Sequence, residues 1–296
     1  MAAFSLLTGL IRLLPIDTAS DLGAWLLRRL GPRTGVHKTV RRNLRLAFPD
    51  KTPAERARIA ADQWENLGRY FAEFMMLDRL TLASGRIEVV GWERLGAIAE
   101  GGQGLVFVSG HLSNFEVMAA AILGAGVPCV ITGRAANNPH FDAAVIRNRQ
   151  SYGLTIFAPK GGDGTREMLR SLREGRSVAI MNDQKNNRGA ATTFFGHQAH
   201  AASGPAKLAL RAGGRVQPMS VRRLKGARFQ VTAHEPILFD QTGDRDADVA
   251  AAVDKITAFI EARIRESPGE WFWSHKRWPD EVYAALARGE IGAPED

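Results

Sequence analysis

Hydrophobic positions in the first third of the chain follow the spacing of helices. The segment from Ala2 to Leu14 has one apolar and one polar face, which is typical of a helix lying at an interface. Its apolar positions are Phe4, Leu7, Leu10, Ile11 and Leu14. The segment is too short to cross a bilayer, since a crossing takes roughly 20 apolar residues. We expect either a helix on a membrane surface or an amphipathic helix packed on the protein's own core.

Two further helices are predicted before residue 80. The second has an apolar face and ends at Gly31-Pro32, a common helix stop. Its apolar positions are Leu22, Trp25, Leu26 and Leu30. The third begins at Thr52-Pro53-Ala54-Glu55, which supplies an N-cap, a proline at the first helical position and a capping-box glutamate. It should run to about Leu77. Residues 1–80 are therefore predicted to form a helical, membrane-associating region.

The pattern changes at about Ile87, where short apolar runs begin to alternate with helical segments. This alternation is typical of βα units around a largely buried sheet. The predicted strands are Leu105–Ser109, Cys129–Thr132, Leu154–Phe157, Val178–Asn182, Val216–Val221 and Phe229–Ala233. The predicted helices are residues 115–124, 139–150, 164–174, 204–212 and Asp246–Arg265. We predict an α/β fold with a mixed, largely buried central β-sheet flanked by helices, merged into one region over residues 81–296.

Composition and charge narrow the class of protein. The 296 residues are 45% hydrophobic and 24% charged, which is typical of a globular protein. Cys129 is the only cysteine, so a disulfide framework and a thiolate zinc cluster are excluded. The formal net charge of +8 favours anionic partners. Lysine and arginine form no zinc-finger, RRM-like or basic-helix pattern, so we expect a membrane surface or a phosphorylated lipid and no nucleic acid.

The segment from Gly110 to Glu116 carries the strongest candidate chemistry. It follows a buried strand and precedes a helix, and the carboxyl ends of strands are where ligands bind in open α/β sheets. The imidazole of His111 could take the proton of an alcohol there, and a carboxylate could fix its tautomer. Residues five apart in a regular helix point about 140° apart, so His111 must precede the helix for Glu116 to reach it. Alternatively, Ser113 and Glu116 form a capping box and serve only the helix.

Asp183 directly follows another apolar strand, Val178–Asn182. This position should point its carboxylate towards the same edge of the sheet as His111. A plain helix or turn cap is the alternative interpretation.

Two other groups of residues were considered for binding. His197 and His200 are close in sequence, but no His-Glu-x-x-His or cysteine set accompanies them, so we expect no metal and no cofactor. In the C-terminal tail, aromatic residues alternate with basic ones and could form a membrane belt or pack on the fold. These residues are Trp271, Trp273, Lys276, Arg277 and Trp278.

Several motifs, in order along the chain, resemble those of the late acyltransferases of lipid A biosynthesis, of the lauroyl/myristoyl type. That family belongs to the lysophospholipid acyltransferase-like superfamily with a His-x4-Asp/Glu motif. The resembling segments are Asn43–Pro49, Gly110–Glu116 with Phe115 in place of tryptophan, Gly133-Arg134, Asn138-Pro139, Arg147, Arg149, Asn182–Gln184, Thr193–Gly196 and Trp273–Trp278. The resemblance covers roughly residues 5 to 280 and implies a glycerolipid acyltransferase-like fold.

The resemblance also implies an activity. A fatty acyl chain would pass from acyl carrier protein, or another thioester donor, to a hydroxyl of a lipid A precursor. His111 would be the general base, oriented by Glu116, and Arg149 would stabilise the oxyanion. Asp183 would orient Arg149 or bind substrate. Asn114, Arg134 and Gln184 would shape the acceptor pocket.

The implied location is the cytoplasmic face of the bacterial inner membrane, with peripheral, monotopic or single-anchor attachment. Some alternatives remain open at this point. Arg149 could be a solvated helix residue or a phosphate anchor. The protein could also acylate another lipid, such as a mannosylated or amino-acid lipid, or bind lipid without catalysis. Retention of both His111 and Glu116 speaks against the last alternative.

Overall fold

The fold is described from a computed structural model, which covers residues 8–132, 146, 149–150, 155–157 and 164–294. Residues 8–12 are helical. Three helices follow: α1 (Ile16–Leu30), α2 (His37–Ala47) and α3 (Pro53–Phe74). The part of the predicted interfacial helix before Thr8, and most of the predicted helix over residues 139–150, lie outside the described residues.

Helix α3 begins with the predicted capping box. The Thr52 hydroxyl accepts a hydrogen bond from the Glu55 backbone, and the Glu55 carboxylate accepts one from the Thr52 backbone. The helix ends three residues before the predicted Leu77 because Met76 leaves the helical region of φ and ψ. A 3₁₀ turn, Leu77–Arg79, follows.

The central sheet is mixed, as predicted. Its strands are β1 Ile87–Val90, β2 Val106–Ser109, β3 Cys129–Thr132, β4 Thr155–Phe157, β5 Ser177–Met181, β8 Arg215–Arg223, β9 Phe229–Ala233 and β10 Ile237–Leu238. In the described part of the chain, seven of them lie in the order β1-β9-β8-β2-β5-β3-β4, and β10 pairs with β8. Parallel pairing joins β1 to β9 and links β8, β2, β5, β3 and β4, whereas β8 pairs antiparallel with β9 and β10.

All six predicted strands are present, but a hairpin was missed. It consists of β6 (Ala190–Phe194) and β7 (His197–Ala201), with Phe194 paired to His197. The two turn residues, Phe195 and Gly196, both have positive φ, as a type I′ turn requires. The strands are rich in alanine, and the turn does not begin with asparagine, aspartate or glycine, so the usual sequence signals of a hairpin are absent.

The remaining helices surround the sheet and the tail. They are α4 Trp92–Gly101, α5 Met118–Gly124, α6 Gly164–Arg173, α7 Gly204–Arg211, α8 Arg245–Glu266 and α9 Asp280–Ala287. Helix α8 buries the face predicted from its spacing, namely Val249, Val253, Ile256, Ile260 and Ile264. Trp271, Trp273 and Trp278 are also buried, so the tail packs on the fold and the membrane-belt alternative is wrong.

Candidate active site

The candidate site lies where two neighbouring parallel strands end. Ser109 of β2 pairs with Met181 of β5, and the backbone N–H of Asn182 donates to the Ser109 carbonyl at 2.9 Å. The residues that follow both strands therefore leave the sheet at one edge. Gly110 also packs closely on α8, because an added Cβ would lie 3.1 Å from Ile260 Cγ2.

Asp183 holds His111 at two points. Its Oδ1 lies 2.7 Å from His111 Nδ1, and its Oδ2 accepts the His111 backbone N–H at 2.8 Å. The indole Nε1 of Trp271 donates to the same Oδ2 at 2.7 Å. Because a carboxylate can only accept hydrogen bonds, this contact places the proton of a neutral imidazole on Nδ1 and leaves Nε2 as the basic atom.

Charge and hydrogen bonding in this pair move both pKa values. Burial alone would lower the pKa of His111, but the charge and hydrogen bond of Asp183 outweigh it and raise that pKa above its ordinary value. Burial alone would raise the pKa of Asp183. The His111 charge and the hydrogen bonds from His111 and Trp271 reverse that effect, and the pKa of Asp183 is lowered well below its ordinary value.

Glu116 belongs to a second buried ion pair. Arg149 Nε lies 3.0 Å from Glu116 Oε2, and Arg149 Nη2 lies 2.6 Å from Oε1, which is a two-point contact. The Tyr70 hydroxyl of α3 donates to Oε1 at 3.2 Å. The Tyr70 ring stacks on Phe115, with ring centroids 5.1 Å apart. Burial, reinforced by the Glu116 charge, raises the pKa of Tyr70 well above its ordinary value, so this hydroxyl stays protonated.

These contacts correct two predicted pairings. Glu116 was expected to orient His111, and Asp183 to orient Arg149 or bind substrate. Instead, Asp183 contacts His111 and Glu116 contacts Arg149. The 3₁₀ turn Phe115–Val117 directs Glu116 towards Arg149, whereas Asp183 follows the strand adjacent to that of His111. The capping-box alternative is also wrong, because no side chain caps this turn.

A cavity of about 600 Å³ opens beside both pairs, within the size range of small-molecule sites. His111, Glu116, Arg149 and Gln184 supply polar groups to its wall. Most other described lining residues are apolar, including Met118, Ile122, Met168, Ile180 and Met219. The structure thus brings four of the predicted site residues to one cavity, with Asp183 directly behind His111.

The other predicted substrate-binding residues are not on this wall. Asn114 is fully buried and donates a hydrogen bond to Glu73 Oε2 at 3.0 Å. Glu73 also accepts hydrogen bonds from Ser20 and Arg223, so Asn114 joins a buried network that ties α3 to the sheet. Its predicted place in the acceptor pocket is therefore corrected. Arg134 lies outside the described residues.

Sequence reasoning missed two residues that complete the pairs. Tyr70 lies in an apolar stretch of α3 and gave no sign of its contact with Glu116. Trp271 was considered only for membrane or core packing. The bridge between Leu112 and Trp271 brings the C-terminal tail alongside the segment that carries His111. This long-range pairing has no local sequence signal.

Among the described residues, no group of three or more histidine, cysteine, aspartate or glutamate side chains could hold a metal ion. Within the same ranges, no helix combines the length and apolar character needed to cross a membrane.

A histidine held by a buried carboxylate, beside a mostly apolar cavity on an α/β fold, has the chemistry needed to activate a nucleophile next to an apolar substrate. Over residues 3–280 the chain matches the family described as bacterial lipid A biosynthesis acyltransferase. The chain belongs to this family and is an acyltransferase.

Relatives include enzymes with different acceptors. A phosphatidylinositol mannoside acyltransferase of Mycobacterium tuberculosis is 25% identical over 279 residues, which is 90% of this chain and 85% of the relative. The lipid A biosynthesis lauroyltransferase of Escherichia coli is 25% identical over 249 residues, covering 81% and 78%. The 1-acyl-sn-glycerophosphate acyltransferase of Thermotoga maritima is a structural neighbour at 12% identity and a TM-score of 0.39, with coverage of 86% and 97%.

Proposed function

We propose that this enzyme transfers a fatty acyl chain from the thioester of acyl carrier protein to a hydroxyl of a lipid A precursor, with His111 as the general base. The observation that carries the proposal is the His111 contact with Asp183 through Nδ1, on the wall of a largely apolar cavity. This contact leaves Nε2 for the acceptor hydroxyl.

In the proposed reaction, His111 Nε2 removes the proton as the hydroxyl oxygen attacks the thioester carbonyl. The carbon–sulfur bond then breaks, and the imidazolium returns its proton to the leaving thiolate. Asp183 stabilises the imidazolium between these two steps. Its lowered pKa keeps the carboxylate ionised throughout the neutral range.

Arg149 is proposed to stabilise the oxyanion formed at the attacked carbonyl. It lies on the same cavity wall as His111, and its two-point contact with Glu116 fixes the guanidinium. A preorganised cation beside a developing negative charge lowers the barrier, since it needs no reorganisation during the reaction. Glu116 is thus a positioning residue for Arg149.

The cavity lining supports a fatty acyl substrate. Thioether and aliphatic side chains form most of its described wall, and an acyl chain placed against them would leave water. His111 and Arg149 lie on the same wall as these apolar side chains, so one cavity could hold both the acyl chain and the reacting carbonyl.

The net charge and the exposed apolar side chains support three proposed partners, which are acyl carrier protein, a phosphorylated acceptor and the membrane surface. The net charge of +8 suits both an acidic carrier protein and a phosphorylated acceptor. Large apolar side chains are exposed on α1 and α3, namely Leu22, Trp25, Leu26, Leu30 and Phe71. The proposal places this surface on the inner membrane, at its cytoplasmic face and without a spanning helix.

A second candidate is acyl transfer to a mannosylated phosphatidylinositol. The mycobacterial relative named for that acceptor is as similar to this chain as the lauroyltransferase is, at 25% identity, and covers more of it. The base and the thioester chemistry would be unchanged, so the two candidates differ only in the acceptor.

The test is transfer of a labelled acyl chain by purified wild-type and His111→Ala enzyme. Each is offered acyl carrier protein or coenzyme A as donor and either a lipid A precursor or a phosphatidylinositol mannoside as acceptor. We expect His111→Ala to lose at least about 10²-fold in rate with lipid A precursor. His234→Ala is the control, since His234 is bonded to Ser220 instead. Unchanged transfer by His111→Ala would refute the mechanism. Transfer only to the mannoside would show that the acceptor is a phosphatidylinositol mannoside and not a lipid A precursor.

A further inference from the structure

Arg277 is a buried cation that is only partly compensated. It is 1% exposed, its Nη1 donates to the His200 carbonyl at 2.9 Å, and its guanidinium lies 4.5 Å from the centroid of the Phe194 ring. Nε and Nη2 are buried and have no hydrogen-bond partner among the described residues. An unpaired buried cation is costly, so its retention calls for a compensating charge or ligand.

The compensating charge is the carboxylate of Asp183. Burial lowers the pKa of Arg277 to about 10, and the nearby Asp183 charge opposes that decrease. Arg277, Asp183, His111 and His275 also line one small cavity of about 10 Å³. That volume matches a single water molecule, which needs two to four polar partners to be held. A phosphate group would be too large for it.

We propose that Arg277 is a positioning residue for the His111–Asp183 pair, acting through one water molecule held in this cavity. The guanidinium donates to the water, and the water donates to the Asp183 carboxylate. Asp183 is thereby held in line with His111 Nδ1. The inference rests on the proposed role of His111 as base.

The contact of Arg277 with Asp183 also has a consequence at His111. A carboxylate held in line with Nδ1 raises the pKa of His111, so a carboxylate that is held less firmly should raise it less. Several other charged or titratable groups act on the ring. Asp183, Glu116 and Arg149 act on it directly, and His275 lies close enough for its own pKa to be lowered by His111, after the larger effect of burial. Lys185 and Lys276 line the same small cavity.

The test is the pH profile of kcat/KM for three variants. Arg277→Met removes the charge, Arg277→Lys keeps it, and Arg45→Met is a control at another buried arginine, which donates from Nε to the Ala293 carbonyl. We expect Arg277→Met to move the acid limb down by about one pH unit, because Asp183 is then held less firmly against His111 Nδ1. Arg277→Lys should restore the wild-type limb. A purely structural role would lower the folded fraction without moving the limb, and an unmoved limb in Arg277→Met would overturn the proposal.

Two further measurements separate this inference from the proposed function. Direct NMR titration of the His111 ring reports its pKa without turnover, so an inactive His111→Ala with an unshifted ring in Arg277→Met would refute only the role of Arg277. If Arg277→Met does not fold, the Nε–H resonance of Arg277 in the wild-type protein serves instead. This N–H should be protected from exchange with solvent, and its chemical shift should change with pH as His111 titrates. A chemical shift that does not change with the His111 titration would refute the coupling between Arg277 and the His111–Asp183 pair.

Discussion

The two carboxylates of the site have different partners, and this difference sets their chemistry. Asp183 accepts hydrogen bonds from His111 and Trp271, whereas Glu116 faces a guanidinium and a phenol. In the proposed mechanism, Asp183 therefore controls a proton and Glu116 fixes a cation. Because His111 must be neutral to accept a proton, kcat/KM should rise with pH through the pKa of His111, which lies above its ordinary 6.5.

Replacing each acid should separate these roles. Asp183→Asn removes the charge that raises the pKa of His111, so the acid limb of kcat/KM should move to lower pH, and kcat should fall by roughly 10²- to 10⁴-fold. Glu116→Gln weakens the hold on Arg149 and should lower kcat with a smaller shift of the limb. The check is the pH profile of both variants. A larger shift of the acid limb in Glu116→Gln than in Asp183→Asn would indicate that Glu116, and not Asp183, orients His111.

Sequence reasoning located these residues but not their pairing. His111 and Asp183 were each found from their place after an apolar strand, and Arg149 was found from the family motifs. The pairing depends on which strands are neighbours, and β2 and β5 are adjacent although their ends are more than 70 positions apart along the chain. Glu116 was favoured as the partner of His111 because the two residues are close in sequence. Closeness in sequence does not fix the direction of a side chain in a 3₁₀ turn.

At the scale of elements, α1 and α3 cross with their backbones in contact. A Cβ added at Gly68 would overlap the carbonyl oxygen of Gly23, and one at Gly23 would overlap that of Gly68. Only glycine at both positions permits this approach. Tyr70 lies two residues after the crossing and donates to Glu116, so the packing of these helices also fixes a group at the candidate site.

Gly68→Ala should therefore destabilise the protein and also affect the site. We expect a loss of about 1–3 kcal/mol in the free energy of unfolding, because the helices must separate to admit a methyl group. Gly96→Ala is the matched control in α4, where an added Cβ meets nothing within 4 Å. It should stabilise by up to about 1 kcal/mol through helix propensity. Urea unfolding of both variants is the measurement. Equal changes in the free energy of unfolding would contradict the backbone contact between α1 and α3 at Gly68.

Elements with strong periodicity were predictable, and those fixed by distant contacts were not. The capping box of α3 and the buried face of α8 follow from local spacing. The β6–β7 hairpin instead depends on contacts far along the chain. The carbonyl of Phe194 in β6 accepts the indole N–H of Trp278, and the backbone N–H of Phe195 donates to Glu261. Such contacts lie more than 60 residues away and cannot be inferred from the hairpin's own sequence.

At the scale of the whole molecule, the N-terminal helices share one hydrophobic core with the sheet. Asn43 of α2 donates to the backbone of Trp273 and His275, which adds polar contacts with the tail. The exposed apolar side chains of α1 therefore belong to a helix that is fixed on its other face. Arg29 stacks over the Trp25 ring at 4.4 Å, and Arg28 also lies in the last turn of α1. An apolar surface with basic residues suits an anionic membrane.

Membrane binding should depend on this surface. The double variant Trp25→Gln, Leu26→Gln should bind vesicles containing anionic lipid about tenfold more weakly than the wild type, since two half-exposed apolar side chains no longer enter the interface. Added salt should weaken wild-type binding through the basic residues. The control is Trp92→Gln, Leu238→Gln, which removes an exposed tryptophan from α4 and an exposed leucine from β10. Vesicle co-sedimentation measures all three proteins. An equal loss in the control would indicate that general hydrophobicity drives binding, whereas wild-type binding by the α1 variant would move the membrane contact to another face.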